Sequence, residues 1–370
     1  MHPLARTEFE RILLIKPSSL GDIVHALPVL NGLRRRYPAA HISWLVNTAY
    51  APLIATHPQL SEVIEFDRRT YARIGRSLSA SRQFAGLMRS LRTRRFDLTV
   101  DLQGLFRSGF LSRSSGAPVR IGPSDAREMA GAFYTHRVQV GGMDTHAIER
   151  NYAVGQMLGF ADVPIAFDLA ISTSERQRAN EALRQAGVDP AGPFAAVLPG
   201  ARWETKRWFP DRFAHVIAAL ARQTGTASIL LGAPDEADAC AQVQRLAACM
   251  GATAPNLAGQ TGLRELVAII EQASVVICHD SAPMHIAAAL GRPMVCLIGP
   301  TNPRRTGPYG ATARVIQAGV PCAPCYLRRL RQCPYNHDCM RSIHPSDVVD
   351  AAVAALGRPA SSPGVFATTS

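Results

Sequence analysis

The sequence predicts an α/β protein of two doubly wound domains facing a cleft. Short apolar, β-branched runs alternate with stretches of helical periodicity, the pattern of a parallel sheet covered by helices. Each run ends in a polar turn that opens the next helix, for example Lys16-Pro-Ser-Ser-Leu-Gly21 and Asp280-Ser-Ala-Pro283. The alternation occurs twice, on either side of a break, and 370 residues exceed one typical domain.

In chain order, Arg11 to Ile15 is a buried strand. Asp22 is then expected to open a helix whose apolar face is Ile23, Ala26, Leu27, Leu30 and Leu33. That helix ends on Arg34-Arg-Arg36, basic in its last turn as the helix dipole favours. Strands follow at Ile42 to Val46, Val63 to Phe66 and Leu98 to Asp101, with a helix from Ser79 to Arg94 before the last. Gly159 to Ser174 lacks periodicity and is placed as the linker. The first domain is thus bounded at 1–165 and the second at 175–345, with a C-terminal helix at 346–357 and a Ser/Pro/Ala/Thr tail at 358–370 expected to be disordered. The second series repeats the first: helix Glu175 to Ala186, then strands Phe194 to Leu198, Ser228 to Leu231, Ser274 to Cys278 and Met294 to Ile298. Gly291 stands where a helix C-cap glycine belongs, and Pro293 bars continuation.

Composition narrows the function. Apolar content of 47% with 18% charged residues describes a globular chain with real cores. No run approaches the roughly 18 apolar residues of a transmembrane helix, and the N-terminus lacks a signal-peptide apolar region, so the expected location is the cytoplasm. The net charge of +12 fits phosphorylated substrates, an anionic membrane face or nucleic acid. Without aromatic-basic interleaving of the RNA-binding kind, nucleic acid is not expected as a partner. Of the 40 basic residues only Lys16 and Lys206 are lysines, and both lie in candidate ligand loops. Neither G-x-G-x-x-G nor G-x-x-x-x-G-K-[ST] is present, which removes the main support for a nicotinamide dehydrogenase or a P-loop kinase. Cys322, Cys325, Cys333 and Cys339 cluster near His337, leaving two readings open, a structural zinc site and reduced thiols.

The polar turn after Cys278 offers unpaired backbone N–H groups at a helix start, which suit a phosphate. A second polar turn, Gly299-Pro-Thr301, follows the very next strand. The alternative for this stretch is an ordinary βα turn capped by Asp280 or Ser281.

Five motifs now gather into one pattern. Ile15-Lys-Pro-Ser-Ser-Leu-Gly-Asp-Ile-Val-His-Ala-Leu-Pro28, Asp101-Leu-Gln-Gly104, Asp125-Ala-Arg-Glu-Met-Ala-Gly131, Trp203-Glu-Thr-Lys-Arg-Trp208 and Asp280-Ser-Ala-Pro-Met-His285 with Gly299-Pro-Thr301 occur in this order. The set resembles the family 9 glycosyltransferases, the lipopolysaccharide heptosyltransferases, and in its N-terminal half most resembles the heptosyltransferase I branch. The resemblance implies a GT-B fold of two Rossmann-like domains. It also implies inverting transfer of heptose from ADP-L-glycero-D-manno-heptose to the Kdo-lipid A inner core, with no cofactor required. Its partners would be an ADP-sugar donor, a phosphorylated or Kdo-bearing glycolipid acceptor, and peripherally the cytoplasmic face of the inner membrane. Ala282 stands where the family usually has glycine. The alternatives for this chain are a family 9 transferase with a different sugar donor or acceptor, and a GT-B sugar-nucleotide epimerase, which would turn over a UDP-sugar without an acceptor.

Inverting transfer needs a base for the acceptor hydroxyl and a positive group for the departing diphosphate. The expected catalytic pair is Asp22 as base and Lys206 as the mobile point charge. Donor contacts are expected from Lys206, Thr261, Asp280, Ser281, Ala282, His285, Gly299 and Thr301. Acceptor contacts are expected from Ser18, Ser19, Gln103, Arg107 and Arg127. For Asp22 the plain alternative is a helix cap, and for Lys206 a solvated loop lysine.

Overall fold

The computed structural model describes residues 2–142, 144–310, 312–357 and 365–366. The chain forms two compact units, Met1–Ala170 with Val365–Ser370, and Ile171–Gly364. The first unit carries β1 (Arg11–Ile15), β2 (His41–Asn47), β3 (Glu62–Phe66), β4 (Leu98–Asp101), β5 (Val119–Pro123) and β6 (His136–Val138). These pair as a parallel sheet in the order β3-β2-β1-β4-β5-β6. A two-residue strand, β7 (Ile165–Ala166), lies outside that sheet. The second unit carries β8 (Phe194–Leu198), β9 (Ala227–Leu230), β10 (Val275–His279), β11 (Met294–Leu297) and β12 (Ala313–Ile316), parallel in the order β12-β11-β10-β8-β9. The expectation of two doubly wound α/β units therefore holds.

Both orders reverse direction once. The reversal falls between β1 and β4 in the first sheet and between β8 and β10 in the second. Chains leaving the carboxyl ends of two strands there diverge to opposite faces and open a crevice, where doubly wound folds bind ligands. The loops at these positions are those singled out from the sequence: Lys16–Asp22 and Gln103–Arg107 in one unit, Trp203–Trp208 and Asp280–Ala282 in the other.

The strands at the centre read as continuous apolar runs because both faces are covered. In β1 every residue after Arg11 is buried, as are all of β8, β10 and β11. Helix Pro210–Thr224 buries Phe213, Val216, Ile217 and Leu220 on one stripe against the second sheet.

Three differences from the sequence reading have physical causes. The single helix expected after Lys16 is two, Leu20–Val24 and Leu27–Arg36. Pro28 has no N–H for the carbonyl four residues back, so the first helix cannot run through it. The boundary between the units does fall within Gly159 to Ser174, after Ala170, but the stretch before it is packed, not extended. Phe160, Ile165, Phe167 and Leu169 are buried, and a Cβ added to Gly32 would stand 2.4 Å from the Phe160 ring. Two absent side chains, at Gly32 and Gly155, leave the space that ring fills. Within the 358–370 tail only 365–366 are among the described residues. They form β13 (Val365–Phe366), paired antiparallel with β7.

Candidate functional site

In the second unit three separate loops meet. Lys206 ends the short 3-10 turn Glu204–Lys206 in the loop after β8. Its Nζ lies 2.7 Å from Asp280 Oδ2 and donates to the Asp280 carbonyl at 3.0 Å. Asp280 follows β10 directly and is buried. Its Oδ2 also accepts from Thr301 Oγ1 at 2.5 Å, and Thr301 comes from the loop after β11. Lys206, Asp280 and Thr301 thus form one charge-assisted network at the switch point. Ser281 is the N-cap of helix Ala282–Ala289, so Asp280 is not the cap. Ala282 opens that helix and His285 lies half-buried in its first turn. Gly299 shares the Thr301 loop, and a Cβ there would meet Met340 Sδ at 2.6 Å and Cys339 Sγ at 3.0 Å. Thr261 sits on the turn before helix Leu263–Gln272, and among the described residues no hydrogen bond joins it to the network.

Lys206 is also positioned from its other side. Its ammonium stands 4.6 Å from the centre of the Trp203 ring, and the Arg328 guanidinium 4.9 Å from the same ring. Thr205 Oγ1 donates to the Leu327 carbonyl at 2.5 Å, and Glu204 N donates to the Arg328 carbonyl at 3.0 Å. The loop is held along its length and is not a solvated excursion.

In the first unit the satisfaction is more local. Asp22 does not open its helix but is its third residue, with Ser19 as N-cap. Asp22 Oδ2 accepts from both Ser19 N and Ser19 Oγ at 2.7 Å. This corrects the expected geometry: the carboxylate closes the first turn of the helix from N3, as in a capping box. Ser18 and Ser19 are both half-buried. Lys16, the other lysine, is buried and donates to the Leu102 carbonyl at 2.8 Å, tying the β1 loop to the β4 loop. The β4 loop in turn holds the 125–131 segment, since Arg127 N donates to the Gly104 carbonyl at 2.9 Å. Gln103, Gly104 and Arg127 are so brought together. The Arg127 and Arg107 side chains are exposed, with the Arg107 guanidinium 5.9 Å from the Phe66 ring centre.

Of the two readings of the cysteine cluster, the zinc site finds no support. Among the described residues no group of three or more His, Cys, Asp or Glu side chains is arranged to hold a metal ion. All four thiols are free; Cys339 is buried and Cys322, Cys325 and Cys333 are half-buried. Burial pushes the Cys339 thiol up to about 11, with the three neighbouring cysteines adding to the shift. His337 is engaged elsewhere, its Nε2 2.8 Å from the Thr205 carbonyl oxygen. Through that bond His337 braces the loop that carries Lys206.

The pattern described as glycosyltransferase family 9 (heptosyltransferase) matches residues 84–336. The chain belongs to glycosyltransferase family 9. Lipopolysaccharide heptosyltransferase 1 of Pseudomonas aeruginosa is 30% identical over 334 residues, 89% of this chain and 89% of that protein. A family 9 glycosyl transferase from Veillonella parvula superposes with a TM-score of 0.78 at 24% identity, over 94% of this chain and 97% of the other. An Escherichia coli heptosyltransferase solved with ADP-2-deoxy-2-fluoro heptose superposes with a TM-score of 0.69 at 27% identity, over 83% and 93%. The fold is GT-B, with two Rossmann-like units, and the chain is a glycosyltransferase.

Three further residues of this family 9 chain were not among the site residues expected from its sequence. His279 is fully buried; Trp208 N donates to its Nε2 at 2.8 Å, and its Nδ1 lies 3.4 Å from the Gly200 carbonyl oxygen. The donated N–H fixes the proton on Nδ1. Burial, helped by Arg207 and Lys206, holds the ring down to about 4, so it stays neutral. His279 locks the Lys206 loop onto the strand that carries Asp280. Asp101, at the end of β4, is buried; it accepts from Gln103 N at 2.8 Å, Gly104 N at 3.2 Å and Tyr134 Oη at 2.6 Å, and so shapes the loop after β4. Glu236 follows β9, and a Cβ on Gly200 would stand 2.1 Å from its carboxyl carbon. Burial raises its pKa. Two of these had a signal in the sequence: Asp101 begins the Asp101-Leu-Gln-Gly104 motif, and Glu236 is an acidic residue after the second strand of a βαβ unit.

Proposed function

We propose that this family 9 glycosyltransferase moves heptose, with inversion, from ADP-L-glycero-D-manno-heptose to the Kdo-lipid A inner core of lipopolysaccharide. The observation that carries the reading is the Lys206–Asp280–Thr301 network at the switch point of the second unit, a cationic group beside a helix start. The Escherichia coli relative crystallised with an ADP-heptose analogue supports the donor class.

The second unit takes the donor. The diphosphate lies against the start of helix Ala282–Ala289 and the Lys206 ammonium, with Ser281, Ala282, His285, Gly299 and Thr261 lining the donor. Asp280 does not confront it as a bare anion, because Oδ2 already accepts from Lys206 and Thr301. Glu236 suits the ribose hydroxyls, the role an acid after the second strand plays in dinucleotide folds. The first unit takes the acceptor, with Ser18, Ser19 and Gln103 on its loops and Arg107 and Arg127 for its anionic groups. In the reaction the acceptor hydroxyl oxygen bonds to the anomeric carbon from the face opposite ADP. The bond to the β-phosphate oxygen breaks and its electron pair leaves with ADP. Asp22 takes the hydroxyl proton, and Lys206 offsets the charge that grows on the diphosphate. Such an acceptor places the enzyme in the cytoplasm, in peripheral contact with the inner membrane.

The test is incubation with ADP-heptose and a panel of truncated Kdo-bearing cores, read by mass. A gain of one heptose on one acceptor with release of ADP is the expected result. Transfer only from another sugar nucleotide would sink the donor assignment, and UDP-sugar isomerisation without an acceptor would sink the transferase reading.

A further inference from the structure

Next to the arginines proposed for the acceptor, the first unit bears an exposed apolar surface that the reaction steps above do not involve. Phe106 and Phe110 lie one helical turn apart on helix Phe106–Ser114 and are 50% and 36% exposed. Their rings stack at 6.4 Å, Phe110 stacks on Phe84 at 6.2 Å, and both meet Phe133 edge-on. Phe84 packs against the core cluster around Leu87, Leu91 and Leu111, so the ladder of rings runs from the core to the surface. Beside it Met129 is 81% exposed, on the residue after Glu128, whose carboxylate accepts from Phe106 N. Leu78, 70% exposed, opens the neighbouring helix Leu78–Thr93. Large apolar groups exposed together mark a contact surface.

The charge around this patch is predominantly positive, with Glu128 as the acidic neighbour. Residues 67–137 hold fourteen arginines and five acidic residues, nine of the twelve net positive charges of the chain. Helical spacing puts some of them among the apolar groups. Arg113 follows Phe106 and Phe110 at the i, i+4, i+7 positions of one stripe, and Arg82 follows Leu78 by one turn; both arginines are exposed. Apolar side chains interleaved with arginine on a helix face fit a bilayer interface, where rings enter the acyl boundary and guanidiniums meet anionic headgroups. No helix among the described residues is long and apolar enough to cross a membrane, so the contact would be interfacial.

We propose that Phe106, Phe110 and Met129, ringed by these arginines, dock the enzyme on an anionic lipid surface. The proposal deepens the reading above, since it rests on a lipid-anchored acceptor. The test is co-sedimentation of the full chain with vesicles of phosphatidylcholine alone or mixed with phosphatidylglycerol, at low and high salt. Binding is expected only to the anionic vesicles and should fall with salt. Phe106→Ser/Phe110→Ser should weaken it by roughly tenfold or more, from the apolar area lost, with ADP affinity by calorimetry unchanged. If that variant proves unstable, Met129→Glu, at a position that packs on little, carries the same expectation. Unchanged vesicle binding in either folded variant overturns the proposal. So does wild-type protein that ignores vesicles, that binds an anionic polynucleotide in their place, or that loses a dimer when the patch is altered. A protein that binds these vesicles through the patch yet transfers no heptose would sink the functional reading and leave the surface standing.

Discussion

The two switch points solve the same problem in opposite ways. In the first unit, the carboxylate of Asp22 is satisfied by Ser19, three residues away, while Lys16 reaches across to a backbone carbonyl of the β4 loop. In the second, Lys206, Asp280 and Thr301 come from three different loops and satisfy one another through side chains. A local arrangement survives the loss of one member with little effect elsewhere. A long-range network does not, because each member orients the others. The difference suits the proposed division of labour: a base must keep a lone pair free for a proton, while a diphosphate site must hold charge in place.

The largest expected effect probes the local side. Asp22→Asn should lower turnover by about 10² to 10⁴-fold, the usual worth of a general base. ADP affinity should stay put, because the nucleotide is proposed to bind in the other unit, and the amide oxygen can still accept from Ser19 N. Near-normal turnover would reduce Asp22 to a capping residue.

Next comes the networked side. Lys206→Ala should weaken ADP binding by about 10 to 100-fold, the range for losing a charge-assisted contact. Asp280→Asn should add little on top of it, since Asp280 acts by holding the ammonium. A double-mutant cycle by calorimetry in which the two losses simply add would break the picture of one network.

His279 gives a third, smaller test. An unfolded histidine takes up a proton below about pH 6.5, whereas the native ring does so only near 4. Between those values the unfolded state binds more protons. Stability should therefore fall as pH drops from about 6.5 to 4, by roughly 3 kcal/mol in all. Denaturation of His279→Gln across that window should show a flatter profile, together with a loss of about 1–3 kcal/mol at neutral pH from the Trp208 N–H. An identical pH profile in the variant would remove His279 as the titrating group.

The smallest effect returns to the first unit. Ser19→Ala removes one hydroxyl bond to Asp22 while the backbone bond remains, and should cost about 1 kcal/mol in thermal or chemical denaturation. ADP affinity should not change; a shift there would mean that the two units are coupled more tightly than local capping allows.

Legibility followed burial and regularity. Strands β1, β8, β10 and β11 stood out because they are continuous apolar runs. Strands β5, β6 and β12 did not: Val119-Arg-Ile-Gly-Pro123 contains two poor strand formers, and β6 has only three residues. The loops that carry Lys206, Asp280 and Gly299-Pro-Thr301 were legible from strand-turn-helix order. His279 was not, because nothing in a buried His at a strand end distinguishes a core residue from a clamp. The cysteine spacing suggested a metal, but spacing along a chain does not say that side chains converge.

By itself the sequence determined the alternation of strands and helices, and with it the parallel sheets, since periodicity and turn residues are properties of neighbours in the chain. It also placed the polar loops at strand ends. Only the tertiary structure decided which loops share a switch point, that Asp22 binds Ser19 from the third helical position, and that Asp280 joins Lys206 to Thr301. Those contacts span up to 74 residues of chain. They are set by strand order, and no local pattern of residues encodes strand order.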